Sequence, residues 1–379
     1  MNSPSKRTWK KFKRNKFALV GLIVIVLMVL LGVLGYLIMP DKTPMANDMM
    51  LQLNIKKPGS TFTILKLKKD EKIDTVSVVE KMLFGQPSFF NKIPIDKYRF
   101  KGDSLLIREY IGEEEQAEEK AFSLNEIIGN SHQGLSMQKK QEYIVKENIQ
   151  IKTYWLGTDI YGRDLLSRLI LGIRISLSVG IMAVIISLLI GVVIGSLSGY
   201  YGGKIDALLS WLMNVVWSLP ALLLVIAISF ALGKGFWQIF IAVGLSMWVE
   251  VARLVRGQML GFKQVEFVEA AKALGFKDSR IILHHILPNI AGPILVVASS
   301  NFASAILLEA GLSFLGFGAQ PPMPTWGGMI KEHYGYIIID AAYLAILPGA
   351  AIMLMVYAFN LVAVGLRDAF DVKSQNTNV

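Results

Sequence analysis

The 379-residue chain contains no cysteine. That absence excludes disulfides, thiolate zinc sites and a cysteine nucleophile together. A phosphate-cradling loop is missing as well. Gly203-Lys204 has Ser198 where G-x-x-x-x-G-K-[ST] needs a glycine, and Ile205 follows the lysine, so nucleotide phosphates cannot be held by that route. Among the four histidines, His284 and His285 are adjacent; neighbours diverge on a helix, whereas i, i+4 pairs converge on an ion. Glu332-His333 has no second histidine to complete H-E-x-x-H. The sequence therefore offers no catalytic residue, no metal site and no cofactor of its own.

Apolar residues are what the chain has in excess. It is 53% hydrophobic with a mean hydropathy of +0.48, too apolar for an ordinary soluble protein. The net charge of +10 is not spread as a nucleic-acid groove would need. Lys6, Arg7, Lys10, Lys11, Lys13, Arg14 and Lys16 crowd residues 1–16 with no acid among them, and Phe17 to Met39 then run without a charge. At about 1.5 Å per residue that run crosses roughly 30 Å of hydrocarbon. Met39-Pro40-Asp41 follows where a signal peptide would have a small-residue cleavage site, so 17–39 reads as an uncleaved first span with 1–16 as a cytosolic basic tail.

Residues 40–154 are charged and hold no membrane-length apolar run, which makes them a separate inserted domain outside the membrane. Strand-like alternation occurs in Thr61 to Lys66, and Tyr98-Arg99-Phe100 and Leu105-Leu106-Ile107 flank Lys101-Gly102-Asp103-Ser104 as a hairpin would. Glu113 to Lys120 reads as a solvated acidic helix or loop. Further on, hydrophobic segments near 175–199, 205–232, 236–252, 291–318 and 341–366 bring the count to six spans, with 371–379 as a cytosolic tail. Counting sides from a cytosolic N-terminus puts the loop within 253–290 in the cytosol. There it is rich in Arg253, Arg256, Lys263, Lys272, Lys277 and Arg280. Arg163, Arg168 and Arg174 fall on the opposite side, where Arg168 and Arg174 suit an interfacial helix ahead of the span. Asp159 and Asp164, with no histidine close in sequence, read as helix capping and pairing to Arg163 or Arg168. Gly191, Gly195 and Gly199 recur every fourth residue; close helix packing and general tolerance of glycine in membranes both fit. Pro220 and Pro348 interrupt two spans.

The loop around Glu269 is a polar island between spans. Phe267, Ala270, Ala271 and Leu274 fall at i, i+3, i+4 and i+7, on one helical face. Gly275 supplies a C-terminal stop, and Asp278 is placed to cap a second helix that begins with Arg280, Ile281 and Ile282. The small Ala270-Ala271 face is where another protein would seat. Within the later spans Glu309 is the clearest buried charge, and with Asn301 it is a candidate for the translocation path; bonding between helices is the other reading for both, as it is for Ser299 and Ser300.

These residues carry a resemblance. Glu269-Ala270-Ala271, Gly275 and, nine residues and two positions later, Leu287-Pro288 match the E-A-A-x-x-x-G signature loop of ABC importer permeases, with His285 standing where the general pattern has an aliphatic residue. The form His-x-Leu-Pro-Asn is similar to the dipeptide, oligopeptide and nickel branch. Gly157-Thr158-Asp159, Gly162-Arg163-Asp164 and the following Ser167-Arg168-Leu169-Ile170 resemble the C-type subunit of peptide permeases. The resemblance covers residues 1–40 loosely and 155–370 well, but not the insert; it implies an all-α membrane bundle of six transmembrane helices with a permease core over 155–370, while the extracytoplasmic α+β domain inserted between the first two helices rests on composition and patterning alone. It implies Glu269, Ala270, Ala271, Gly275, Asp278, Leu287 and Pro288 as the coupling surface for two separate ATPase subunits, which would hold ATP and magnesium. A second permease subunit, an extracytoplasmic binding protein, and a bacterial inner-membrane location with both termini cytosolic are implied too. A membrane-anchored receptor or scaffold with an outer ligand-binding domain is the reading from another class.

Overall fold

A computed structural model describes residues 4–69, 73–112, 117–128, 135–233 and 235–370. The basic N-terminus forms α1 (Pro4–Arg14). Asn15 then starts α2 (Lys16–Ile38), its side chain accepting the Ala18 N–H at 3.1 Å. The 23 residues of α2 rise about 35 Å at 1.5 Å each, more than the ~30 Å of a bilayer core.

The chain next builds a small α+β unit from β1 (Ser60–Lys68), α3 (Val78–Phe84), β2 (Phe90–Lys101), β3 (Ser104–Glu109), β4 (Glu119–Ser123), α4 (Leu124–Ile128), α5 (Met137–Tyr143) and β5 (Ile149–Tyr154). The strands form one antiparallel sheet in the order β4-β3-β2-β1-β5. The expected hairpin is β2–β3, turning where Gly102 takes φ +58°. One face of the sheet is covered by Leu124, Ile127 and Ile128 of α4 and by Ile144, against Leu65, Ile95, Leu105 and Ile107; on the other, Met50 and Leu53 cover Ile64 and Tyr154, so Ile64 and Leu65 are both buried and the alternation in β1 is only partial. One expectation changes. Glu119 and Lys120 open strand β4, where cross-strand pairs to Arg99 (2.6 Å) and Glu109 (3.0 Å) hold them; Glu113 to Gln116 lie outside the described residues.

The remaining helices are α6 (Leu165–Tyr201), α7 (Gly203–Trp217), α8 (Ala221–Leu232), α9 (Phe236–Phe262), α10 (Glu266–Ala273), α11 (Asp278–Arg280), α12 (Leu287–Leu315), α13 (Trp326–His333) and α14 (Tyr343–Phe370), with a π-type turn over Ile281–Ile286. Five helices among the described residues are long and apolar enough to cross a membrane, or six if α7 and α8 form one span. Those two are bent by 93°, so the stretch 205–232 is two helices rather than one continuous one, and as a bent pair it is the candidate for the sixth span. Pro220 offers no N–H and pushes Leu219 out of the helical region, whereas Pro348 stays inside an unbroken α14. The helices also outrun the expected spans, because a charge such as Arg253 ends an apolar run without ending a helix. Arg168 and Arg174 accordingly belong to α6 itself rather than to a separate interfacial helix.

Packing of α6 on α9 settles the glycine question. A Cβ on Gly191 would lie 2.5 Å from the Val251 Cβ, one on Gly195 2.8 Å from the Val255 Cβ, and one on Gly199 2.6 Å from the Met259 Cβ. The three glycines therefore let the helices touch along two turns. At one end of the bundle α1 and the start of α2 meet the C-terminal turns of α14, where Phe12 and Ala18 pack on Gly365, and Gly292 near the start of α12 meets Phe370. The connection between α9 and α12 emerges at this same end. The sheet unit sits at the opposite end, tied to the bundle by Asp41 N–H on Ser167 Oγ (2.9 Å), Tyr343 Oη on Lys56 O (2.9 Å) and the exposed pair Lys57–Asp340 (2.8 Å).

Candidate functional site

The connection from 263 to 286 is a short helix clamped onto the ends of the long ones. Helix α10 stops as expected: Gly275 has φ +78°, its N–H bonds to Lys272 O at 2.9 Å, and Phe276 N–H reaches Ala271 O at 3.1 Å, the paired bonds of a Schellman ending. Beneath α10, Val268 and Ala271 are buried with Tyr200, Val255, Met259, Ile281, Ile282 and Ile286. Tyr200, the penultimate residue of α6, is the foot of this cluster. Its hydroxyl donates to Asp278 Oδ1 at 2.7 Å, and the ammonium groups of Lys263 and Lys272 lie 5.8 and 5.2 Å from its ring. Nothing in the local pattern marked Tyr200; an aromatic hydroxyl closing a charge-free span was the available signal.

The structure redistributes the expected face. Ala271 is 3% exposed and belongs to the loop's own core, while Ala270 is exposed between Phe267 (39% exposed) and Leu274 (74%). The free apolar stripe is thus Phe267, Ala270 and Leu274, extended by Leu283 (57%), and charged Glu266, Glu269 and Lys272 flank it on α10. Ala270 and Ala271 do not form one exposed face, because a helix packed on one side must turn one of two neighbours inward. Glu269 is exposed and makes no side-chain bond among the described residues. Asp278 does not cap: Lys277 holds the cap position and makes no capping bond, and Asp278 serves Tyr200 instead. Leu287 is half-buried and Pro288 exposed in the first turn of α12, where a missing N–H costs nothing. His285 stacks on Phe276 with ring centroids 5.8 Å apart and 13° between planes, and Arg280 covers the Phe276 ring at 4.6 Å, so His285 packs the loop.

Close to this loop, Asp206 receives Arg256 through Nε (2.6 Å) and Nη2 (2.7 Å), with Ser198 and Ser210 hydroxyls completing its acceptor sites. The bidentate geometry ties α6, α7 and α9 together at the loop's end. Arg253, one turn earlier, donates to Asn214 at 2.8 Å and covers the Trp217 ring at 4.6 Å.

The opposite end holds a buried ion-pair node. Asp159 accepts the N–H groups of Tyr161 and Arg163 (2.9 Å each) and Arg163 Nε (2.6 Å), with Arg168 Nε at 3.5 Å; Arg163 also reaches Glu332 at 3.2 Å. Asp164 caps α6 through the Ser167 N–H (3.0 Å). Burial pushes the Asp164 carboxyl above its ordinary range, and the Ser167 hydrogen bonds oppose this. Capping and pairing are thus divided between the two aspartates. The fold also supplies what the local sequence lacks, a histidine: Asp159, Glu332 and His333 place ligand atoms within 4.8 Å of one another. Two guanidinium groups already neutralise those carboxylates, so the trio is an ion-pair node in its chemistry. His333, buried with Nδ1 2.6 Å from Met329 O, is pushed below the usual imidazole range by that burial.

Asn301 and Glu309 are each 1% exposed on α12. Ser313 Oγ donates to Glu309 Oε1 at 2.7 Å, with Thr325 and Ser176 beside the same carboxyl, while both Asn301 side-chain polar atoms lack a partner among the described residues. Both face the interior of this chain's own bundle. Ser313 and Thr325 also line a cavity of about 260 Å³ at the sheet-domain end, together with Arg168 and Glu332, so Glu309 lies one hydroxyl beneath an opening.

The family model described as the binding-protein-dependent transport system inner membrane component matches residues 191–375, and that of the N-terminal transmembrane domain of oligopeptide transport permease C matches residues 3–56. The dipeptide transport system permease protein DppC of Alkalihalophilus pseudofirmus is 44% identical over 223 residues, 59% of this chain and 73% of that protein. The glutathione transport system permease protein GsiD of Pectobacterium atrosepticum is 43% identical over 220 residues, 58% of this chain and 73% of that protein. Among solved structures, an inward-facing form of the MetNI methionine ABC transporter is similar with TM-score 0.43 and 20% identity, over 53% of this chain and 96% of that chain.

Proposed function

The chain belongs to the ABC importer permeases of the peptide and nickel family, and on that premise we propose that it conducts short peptides inward while separate ATPase subunits drive it through the loop around Glu269. The observation that carries this reading is the apolar stripe of Phe267, Ala270, Leu274 and Leu283, left bare on a loop whose underside is rigidly packed. The loop shares its end of the bundle with the basic N-terminal helix, and the positive-inside rule supports a cytosolic position for both and an outer one for the sheet unit. Residues 371–379 lie outside the described residues; the end of α14 beside α1 supports a cytosolic end for that helix.

A chain without a phosphate loop draws its energy from partners, two ATPase subunits that hold ATP and magnesium. Their closure would press on α10, and the Tyr200–Asp278 bond with the α6–α9 glycine seam would transmit that displacement into the longest helix. The bundle is then a two-state element biased from its cytosolic end. A second, related permease would complete the path, and an extracytoplasmic binding protein would deliver the substrate. The relatives' names, a dipeptide and a glutathione permease, favour small peptides as that substrate. Asn301 and Glu309 are retained as path candidates because an intramembrane polar group is expensive without a role.

Reconstitution tests the reading. The chain purified with its sister permease should retain ATPase subunits and support ATP-dependent uptake of a labelled dipeptide into proteoliposomes. Ala270→Arg, on the exposed face, should abolish both while leaving the permease folded. Recovery of a folded chain that never retains ATPase subunits would favour the receptor or scaffold reading instead.

A further inference from the structure

Helix α3 of the inserted unit carries an apolar face that the sheet does not cover. Val78, Val79, Leu83 and Phe84 are 73%, 63%, 44% and 68% exposed, four of the seven residues of this helix. Its position is set from both sides. Gly85, which ends the helix at φ +83°, sits so close to α2 that a Cβ there would lie 2.8 Å from the Tyr36 ring, and Gln86 N–H bonds to Lys42 O at 2.8 Å. From the other side Arg174 Nη1 donates to Met82 O at 3.1 Å and its guanidinium lies 5.4 Å from the Tyr36 ring.

These contacts fix the depth of α3. Tyr36 is twenty residues beyond Lys16, about 30 Å along the helix axis, which is the thickness of the hydrocarbon core. Arg174 is the last charge before the uncharged run from Ile175 to Tyr201. Two independent spans therefore place α3 at the far hydrocarbon boundary, the level at which tyrosine and arginine anchor membrane helices. On α2 the surface just below is Leu31, Val33, Leu34 and Ile38, 38–53% exposed, and the apolar face of α3 continues it. Between α3, α2 and α6 lies a cavity of about 490 Å³ lined by Tyr36, Leu83, Phe84, Leu171 and Ile175, with Glu80 and Arg174 the charged residues among its lining.

We propose that α3 lies in the outer interface of the bilayer with its apolar face in lipid, so that the inserted unit is tethered to the membrane surface and a lipid acyl chain occupies the cavity behind the helix. On this short helix Val78, Val79, Met82 and Leu83 share one side, and Glu80 and Lys81 lie on the other with Phe84 between them, an arrangement that suits that plane. This does not depend on the proposed ATPase docking, which concerns the other end of the bundle.

The absence of cysteine permits a direct test on the whole chain, assembled with its partners in proteoliposomes. Val79→Cys and Phe84→Cys are labelled with a nitroxide, alongside Leu34→Cys in the span and Asp103→Cys at the β2–β3 turn as references. Val79 and Phe84 are 63% and 68% exposed, and Phe84 also lines the cavity, so the two labels report on the open side of the helix and on the cavity mouth. The expected result is that molecular oxygen relaxes both α3 labels several-fold more than a water-soluble nickel chelate does, as at position 34, with the ratio reversed at position 103. Labels at 79 and 84 that follow position 103 overturn the proposal, because the face is then in water. Labels closed to both reagents overturn it as well, because a protein surface then covers the face.

Discussion

Replacing Leu274 with alanine isolates the docking surface from the fold that presents it. The side chain is 74% exposed and contributes little to the loop's own core, so the permease should keep its melting temperature. Three carbons are lost, about 2.4 kcal/mol at roughly 0.8 kcal/mol per buried CH₂. Scaling by the 74% that a partner could cover leaves about 1.8 kcal/mol, roughly a twenty-fold weaker Kd at about 1.4 kcal/mol per decade. The assay is titration of the ATPase subunit onto the permease in nanodiscs, with thermal melting of the same preparation as control. Ala271→Arg gives the contrast: at 3% exposure its guanidinium would be forced into the Val268–Tyr200 cluster, lowering the melting temperature along with affinity. An unchanged Kd for Leu274→Ala would sink the assignment of this stripe as the contact surface.

Further outcomes follow from the same packing. Gly195→Leu forces a side chain into the Ala252 backbone and the Val255 Cβ; overpacking of about 1–3 kcal/mol or more should appear as loss of folded protein in size-exclusion chromatography, and a normal yield would contradict the α6–α9 seam. Asp206→Asn leaves Arg256 without its bidentate partner; the pair is 19% and 34% exposed, so a cost of about 1–2 kcal/mol, between surface and buried pairs, is expected in detergent melts. Burial holds His333 neutral below its ordinary range, so the unfolded chain binds this proton first as pH falls. Stability should therefore be complete above about pH 6.5 and decline below it, by at most about 1.4 kcal/mol per unit from this group. The decline should be shallower in His333→Gln; identical pH profiles would remove His333 from the account.

Several features were legible because they are local. The basic tail, the uncharged run of α2, the β2–β3 hairpin, the stop at Gly275 and the motif from Glu269 to Pro288 depend on neighbours a few residues away, where composition and periodicity report directly. Helix ends were less legible. Arg253 and Arg174 interrupt apolar runs but sit within α9 and α6, since a helix can carry a charge wherever a tertiary partner such as Asn214 or the Met82 carbonyl receives it.

By itself the sequence determined the class of protein, the presence of an inserted unit, and which loop carries the family signature. These follow from hydropathy, charge sign and short spacing. Only the tertiary structure decided which side of α10 is free. Val268 and Ala271 turn inward because Tyr200 and the Ile281–Ile286 turn are there to receive them, and a periodic stripe alone does not say which stripe meets its own chain. The same holds for the Asp159 node, where Arg168 of α6 reaches Asp159 and Glu332 of α13 reaches Arg163, and for Glu309, which the fold surrounds with hydroxyls from α6, α12 and the start of α13. Burial is a property of what packs against a residue, and those contacts are long-range.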